Sequence, residues 1–194
     1  MRKISAGLII MMSVLLVSCK GKAGNTISVG SDKLDNTQSY FSESMHKVAR
    51  CDSGYYYLDK CGASANILMF YDDKSGESIV LCNKPQCGHD GEECMAYILG
   101  SEFKSNLYYY NSYIYMLSSK GNLVQISADG TQRTDLGSVC VMSGQDSVSM
   151  CFNDRCAYVS QEVTGDIEGN VTVRLYRFNL DTGLCDMIYE ETGY

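Results

Sequence analysis

The chain has 194 residues, with 16 Lys and Arg against 23 Asp and Glu, for a formal net charge of −7. That acidic balance argues against nucleic acid as a partner, because phosphate backbones are met by basic patches. It also argues against electrostatic adhesion to anionic lipid headgroups.

The N-terminus reads "MRKISAGLIIMMSVLLVSCK". Arg2 and Lys3 precede an apolar run from Ala6 to Val17. The run is too short for a membrane-spanning helix, which needs about 20 residues, and it fits the apolar region of a signal peptide. It ends in Leu16-Val17-Ser18-Cys19, which resembles a bacterial lipobox. The resemblance implies that residues 1–18 are removed and that Cys19 carries a diacylglycerol on its sulfur. The protein would then be lipid-anchored at the extracytoplasmic face of the cell membrane. An ordinary secretory signal with a cysteine at this place by chance is the alternative. Taking 18 leader residues from 194 leaves 176, enough for one core. Because the leader holds two basic and no acidic side chains, 14 basic and 23 acidic groups remain, a net charge of −9.

Residues 19–46 are polar, rich in Ser, Gly and Asn, and weakly periodic. They are predicted to be a flexible tether behind the lipidated cysteine. About 26 flexible residues span roughly 25–30 Å on average. His46 falls at its end and is expected to be exposed.

From residue 47 to residue 194 one plan recurs three times. The copies are "GYYYLDK…ILMFYDDKSGESIVLC", "SYIYMLSSKGNLVQISADGTQRTDLGS" and "RCAYVSQEVTGDIEGNVTVRLYRFNLDTGLCDMIYE". They align on Tyr57-Leu58, Tyr115-Met116 and Tyr158-Val159, at intervals of 58 and 43 residues. A third strand in each copy ends before a turn: Phe70-Tyr71 before "DDKSG", Ile126-Ser127 before "ADG" and Phe178-Asn179 before "LDTG". Asp with Gly after a strand is a hairpin signal. A fourth strand follows each turn, and a first strand precedes each copy, near "KVARC", in "NLYYY" and in "SVSMCF". The short turns Asn111-Ser112 and Asn153-Asp154 would close the last two. Four antiparallel strands every 40–45 residues or so describe one blade of a β-propeller. Such a sheet is covered on both faces, so "LYYYNSYIYML" needs no polar alternation. The predicted fold is therefore all-β: a partial propeller of about three four-stranded antiparallel blades. A β-sandwich or irregular antiparallel barrel is the competing arrangement. Three blades do not close a ring, since propellers have four to eight. The expectation is that these blades are the N-terminal part of a longer protein, or a truncated product.

The segment "QISADGTQRTDL" is similar to repeats of TolB-like propellers. With the lipobox, residues 48–190 resemble propeller lipoproteins of unknown function from Gram-positive anaerobes. The run Cys-Asn-Lys-Pro-x-Cys-x-His resembles one found in those lipoproteins.

Ten cysteines leave nine once Cys19 is assigned to lipid. The densest cluster is Cys82-x4-Cys87-x-His89-x4-Cys94. Zinc takes three thiolates and one imidazole in a tetrahedron, and Pro85, Gly88 and Gly91 suit a tight loop. This loop falls where the first repeat interval exceeds the second by 15 residues, and it is placed between the first and second blades. Three readings stand open: a structural zinc knot, a disulfide within the loop, or a redox-active or unpaired cluster. A catalytic zinc fits least, because four protein ligands leave no open position. Asp90, Glu92 and Glu93 are taken as solvated loop charges. Elsewhere, a two-residue turn at Asn153-Asp154 would set Cys151 opposite Cys156 and make them a candidate disulfide. Two small buried thiols are the alternative. Residues 166–170, "DIEGN", are taken as a polar hairpin tip rather than a calcium loop.

There is no G-x-S-x-G elbow, P-loop or dinucleotide fingerprint, and no catalytic residue is assigned. The leading functional expectation is a membrane-anchored binding module for a protein, peptide or glycan. The alternatives are the N-terminal propeller of a larger exported hydrolase or lyase, and a non-catalytic accessory or sensor subunit. The tyrosine clusters are expected to pack between blades rather than to form a sugar platform.

Overall fold

A computed structural model describes residues 47–165 and 169–193. Cys19, the leader, the tether with His46, and residues 166–168 of the predicted hairpin tip lie outside the described residues.

Aromatic and β-branched runs set off by short turns form three separate antiparallel sheets. The first contains β1 (Val48–Cys51), β2 (Gly54–Cys61), β3 (Ala65–Asp72), β4 (Glu77–Val80) and β5 (Tyr97–Leu99). The second is β6 (Tyr108–Tyr110), β7 (Tyr113–Leu117), β8 (Asn122–Ser127) and β9 (Arg133–Ser138). The third is β10 (Ser147–Asn153), β11 (Cys156–Thr164), β12 (Val171–Asn179) and β13 (Cys185–Gly193). The second and third run as simple meanders, the first does so through β4 while β5 pairs back with β3, and together they make a partial, open β-propeller arrangement. The predicted fold class holds.

The middle blade is buried on both faces, and its strands show how. Along β7, Ile114 and Met116 enter the core shared with the first blade, while Tyr115 and Leu117 enter the core shared with the third. On β8, Val124 and Ile126 take the first side and Leu123 the second. Period-two alternation thus survives, but both faces are apolar. The end blades bury one face each. Ala157, Val159 and Gln161 of β11 point inward, whereas Met187, Ile188 and Tyr189 of the edge strand β13 remain about half exposed.

Tyrosines join the blades, as expected. Tyr56 stacks on Tyr109 at 5.6 Å across the first junction, and Tyr110 stacks on Phe152 at 5.2 Å across the second. Tyr56 Oη donates to the Ala128 carbonyl (3.2 Å), and Tyr108 Oη accepts from the Met150 amide (3.0 Å). Each hydroxyl crosses from one blade to the next, so the buried polar end is satisfied.

Two details of register differ from expectation. The first hairpin pairs Cys51 with Gly54, which makes Tyr56, not Tyr57, the counterpart of Tyr115 and Tyr158. In the third blade the two-residue turn is Asp154-Arg155, not Asn153-Asp154. Both turn residues adopt left-handed φ values, 45° and 61°, as a type I′ hairpin requires. The expected turn would have set Arg155 opposite Phe152, which is buried against the middle blade. In the observed register Ala157 faces Phe152 and Arg155 reaches Asp181 at 2.9 Å. Asn111-Ser112 turns as predicted, with φ of 48° and 62°.

Ile114→Ala should destabilise the protein by about 2–5 kcal/mol, because it empties space between two blades. Leu184→Ala, at a side chain 69 % exposed, should stay within about 0.5 kcal/mol. Urea unfolding of both variants checks the contrast, and equal effects would contradict the two-sided burial of the middle blade.

Candidate metal centre

The cysteine-rich segment does not connect two blades. It interrupts the fourth strand of the first. Strand β4 pairs with β3 over Met69–Asp72, and β5 resumes the pairing on the same strand over Ala65–Ile67. The chain leaves and returns at one residue: the Leu81 amide donates to the Leu68 carbonyl (2.9 Å), and the Leu68 amide donates to the Ala96 carbonyl (2.8 Å). The expected inter-blade position is therefore corrected to an excursion from within the first blade.

Inside the excursion the turns are tight. The Cys87 amide donates to the Lys84 carbonyl (3.3 Å) and the Cys94 amide to the Gly91 carbonyl (3.0 Å). Gln86 and His89 hold left-handed φ values of 59° and 57°, uncommon for residues with a side chain. This path brings Cys82, Cys87, His89 and Cys94 together, with their ligand atoms all within 4.8 Å of one another. His89 Nδ1 lies 3.3 Å from Cys94 Sγ. Zinc, with bonds of about 2.3 Å to sulfur and 2.0–2.1 Å to nitrogen, needs donors about 3.6–3.8 Å apart. Small side-chain rotations close that difference. Cys94 is buried and the other three are half-buried, and the set fits a closed structural site.

The surroundings treat the sulfurs differently. Burial pushes the Cys82 thiol up, but hydrogen bonds from the Lys84 and Met95 amides and from the Cys94 and Cys87 thiols outweigh it. The net result lies below the usual thiol range. Burial drives Cys94 the other way, up to about 12, and its neighbours Cys82 and Cys87 add to the rise against the opposing bond from the Ala96 amide. Peptide N–H groups aimed at both sulfurs would stabilise thiolates bound to a cation. The acids stay out of the cluster: Asp90, Glu92 and Glu93 are exposed, and Glu93 pairs with Lys84 at 3.3 Å.

Sequence reasoning missed the residues that seat this loop. Gly130, read as simple turn chemistry, packs directly on the backbone of Leu81 and Cys82. Arg133 of β9 donates to the Tyr97 carbonyl (2.9 Å) just beyond the loop and pairs with Glu102 at 3.5 Å. No local pattern marks these contacts, which depend on one blade lying against another. The acids of the remaining turns are explained locally. Asp72 accepts from the Lys74 amide (3.0 Å), and Asp129 accepts from the Thr131 amide (3.0 Å).

Among the other cysteines, Cys151 stands opposite Tyr158, and Cys156 stands opposite Asn153. The two are diagonal neighbours, which are about 7–8 Å apart in such a pair, beyond ordinary disulfide reach. This register corrects their expected direct opposition. Cys51 and Cys140 are buried in the two cores, and Cys185 packs against the second, where its thiol donates to the Val139 carbonyl at 3.5 Å.

The chain matches no protein-family model, and no curated protein is significantly similar to it.

In reduced, metal-free protein at about pH 8, iodoacetamide should modify Cys82 well before Cys94. A lowered thiol is already thiolate in part there, and a raised, buried one remains protonated. Peptide mapping over time checks this, and equal rates would contradict the assignment.

Proposed function

We propose that this protein is a lipid-anchored, extracytoplasmic β-propeller module that binds a protein, peptide or glycan. Its likeness to TolB-like propeller lipoproteins belongs to the same proposal. The anchor reading rests on the leader and Cys19. Among the described residues, no helix is long and apolar enough to cross a membrane. The lipid on Cys19 would hold an exported domain at the surface.

The binding reading is carried by one observation. A groove of about 610 Å³ runs along the junction of the first two blades. The metal-loop residues Glu92, Glu93 and Met95 form one wall, and Lys120, Arg133 and Asp135 of the middle blade form the other. The Arg133 guanidinium lies 5.4 Å from the ring centre of Phe103, which also lines the groove. Charges of both signs beside apolar side chains such as Phe103, Met95 and Val124 suit a mixed polar ligand held by a few placed groups.

The test uses the full chain in its native membrane. A tagged fatty acid should label the wild type and not Cys19→Ala; unchanged labelling would refute the anchor. Probed on peptide and glycan arrays, the double variant Glu92→Lys/Lys120→Glu should lose at least about tenfold in affinity for whatever the wild type binds, a loss of about 1.4 kcal/mol. Retained affinity would place the binding surface elsewhere.

A further inference from the structure

We infer that Cys82, Cys87, His89 and Cys94 bind one zinc ion whose task is to clamp the first blade to the second. The role lies in where the loop is gripped, and it stands apart from any ligand of the groove.

Both ends of the loop touch the middle blade. At the entry, the Asn83 amide donates to the Gly130 carbonyl at 3.1 Å. Gly130 sits in the β8–β9 turn at φ +69°, and a Cβ there would lie 2.7 Å from the Leu81 carbonyl carbon and 2.9 Å from the Cys82 nitrogen. The backbones of two blades therefore meet without a side chain between them. At the exit, Arg133 bonds the Tyr97 carbonyl and pairs with Glu102. Cys94 lies between the two ends and is 2 % exposed, in the core that the two blades share.

The grips thus bracket the ligands. Cys82 sits within the entry contact, between Leu81 and Asn83, and Cys94 precedes the exit contact at Tyr97 by three residues. A cation joining their sulfurs fixes the distance between the two places where the β8–β9 hairpin holds the first blade. Without it, residues 82–95 are held by the Leu68 bonds to Leu81 and Ala96 at their two ends, the Asn83–Gly130 bond and the turn bonds of Cys87 and Cys94, and two left-handed residues, Gln86 and His89, must be kept in place by these few backbone bonds.

The donor set selects the cation. Three sulfurs and one imidazole favour a tetrahedral, thiolate-preferring divalent ion, and the closed shell leaves no site for substrate. Binding displaces the three thiol protons to solvent, and neutral imidazole gives a lone pair. The bound unit then carries one net negative charge, and no electron transfer is involved. A disulfide between any two of these cysteines would instead need an external oxidant and would leave His89 and the third thiol without a shared role.

The experiment uses full-length protein purified under reducing conditions with no chelator. Elemental analysis should give about one zinc per chain. Hydrogen exchange is then followed before and after chelation. The expected result is faster exchange both in residues 82–95 and in the β8–β9 hairpin of the second blade. Faster exchange confined to the loop would overturn the clamp. Absence of zinc in protein with reduced thiols, or a disulfide within residues 82–94, would overturn the site itself. Since Cys82→Ser could unfold the chain, His89→Gln serves as the milder variant. It should fold, lose zinc to a competing chelator at least about tenfold more readily, a change of about 1.4 kcal/mol, and show the chelated exchange pattern in the second blade. Wild-type zinc retention in that variant would remove His89 from the ligand set.

Discussion

The inner strands of the middle blade, β7 and β8, have no solvent face, and the other two blades are arranged around that fact. Ile114 and Met116 must be covered on one side, Tyr115 and Leu117 on the other. An antiparallel sheet this apolar on both faces is stable only between two others. The flanking blades supply Leu68, Phe70 and Ile98 from one direction and Phe152, Val159 and Phe178 from the other. Tyr56 and Tyr108 then help fix how the sheets sit against one another, because the hydroxyl of each finds its partner on the neighbouring blade.

The first of those covers is itself incomplete as a strand. Its outer edge, opposite β3, is made by β4 and β5 in succession, with the cysteine loop thrown out between them. Leu81 and Ala96, the residues on either side of the break, are fully buried. The core of the first junction therefore depends on two chain ends being held in place from outside the sheet. A cation on Cys82, Cys87, His89 and Cys94 would hold them, and Gly130 and Arg133 carry that constraint to the second blade. The groove proposed for binding opens beside this place, so one wall of it inherits the rigidity of the loop.

Much of this was legible from residue patterns. The run from Tyr108 to Leu117 announced a sheet covered on both faces, and Asn111-Ser112 announced its turn. The cluster of Cys82, Cys87, His89 and Cys94 was visible from type and spacing, with a zinc knot as one of three open readings, and the fold brings the four side chains together. What escaped was set by contacts distant in sequence. Asp154-Arg155 displaced the expected turn because Arg155 could not face Phe152 in a buried pair, a fact visible only once the middle blade is in place. The loop's true position was hidden because β4 and β5 share one partner strand, and nothing in their own residues says so. Gly130 reads as an ordinary Asp-Gly turn until another backbone is found against it.

Zinc-edge X-ray absorption on the purified full-length protein reads the metal proposed at the first junction. The expected shell is three sulfur neighbours at about 2.3 Å and one nitrogen at about 2.0–2.1 Å. A shell of nitrogen and oxygen alone, or no zinc signal in reduced protein, would contradict it.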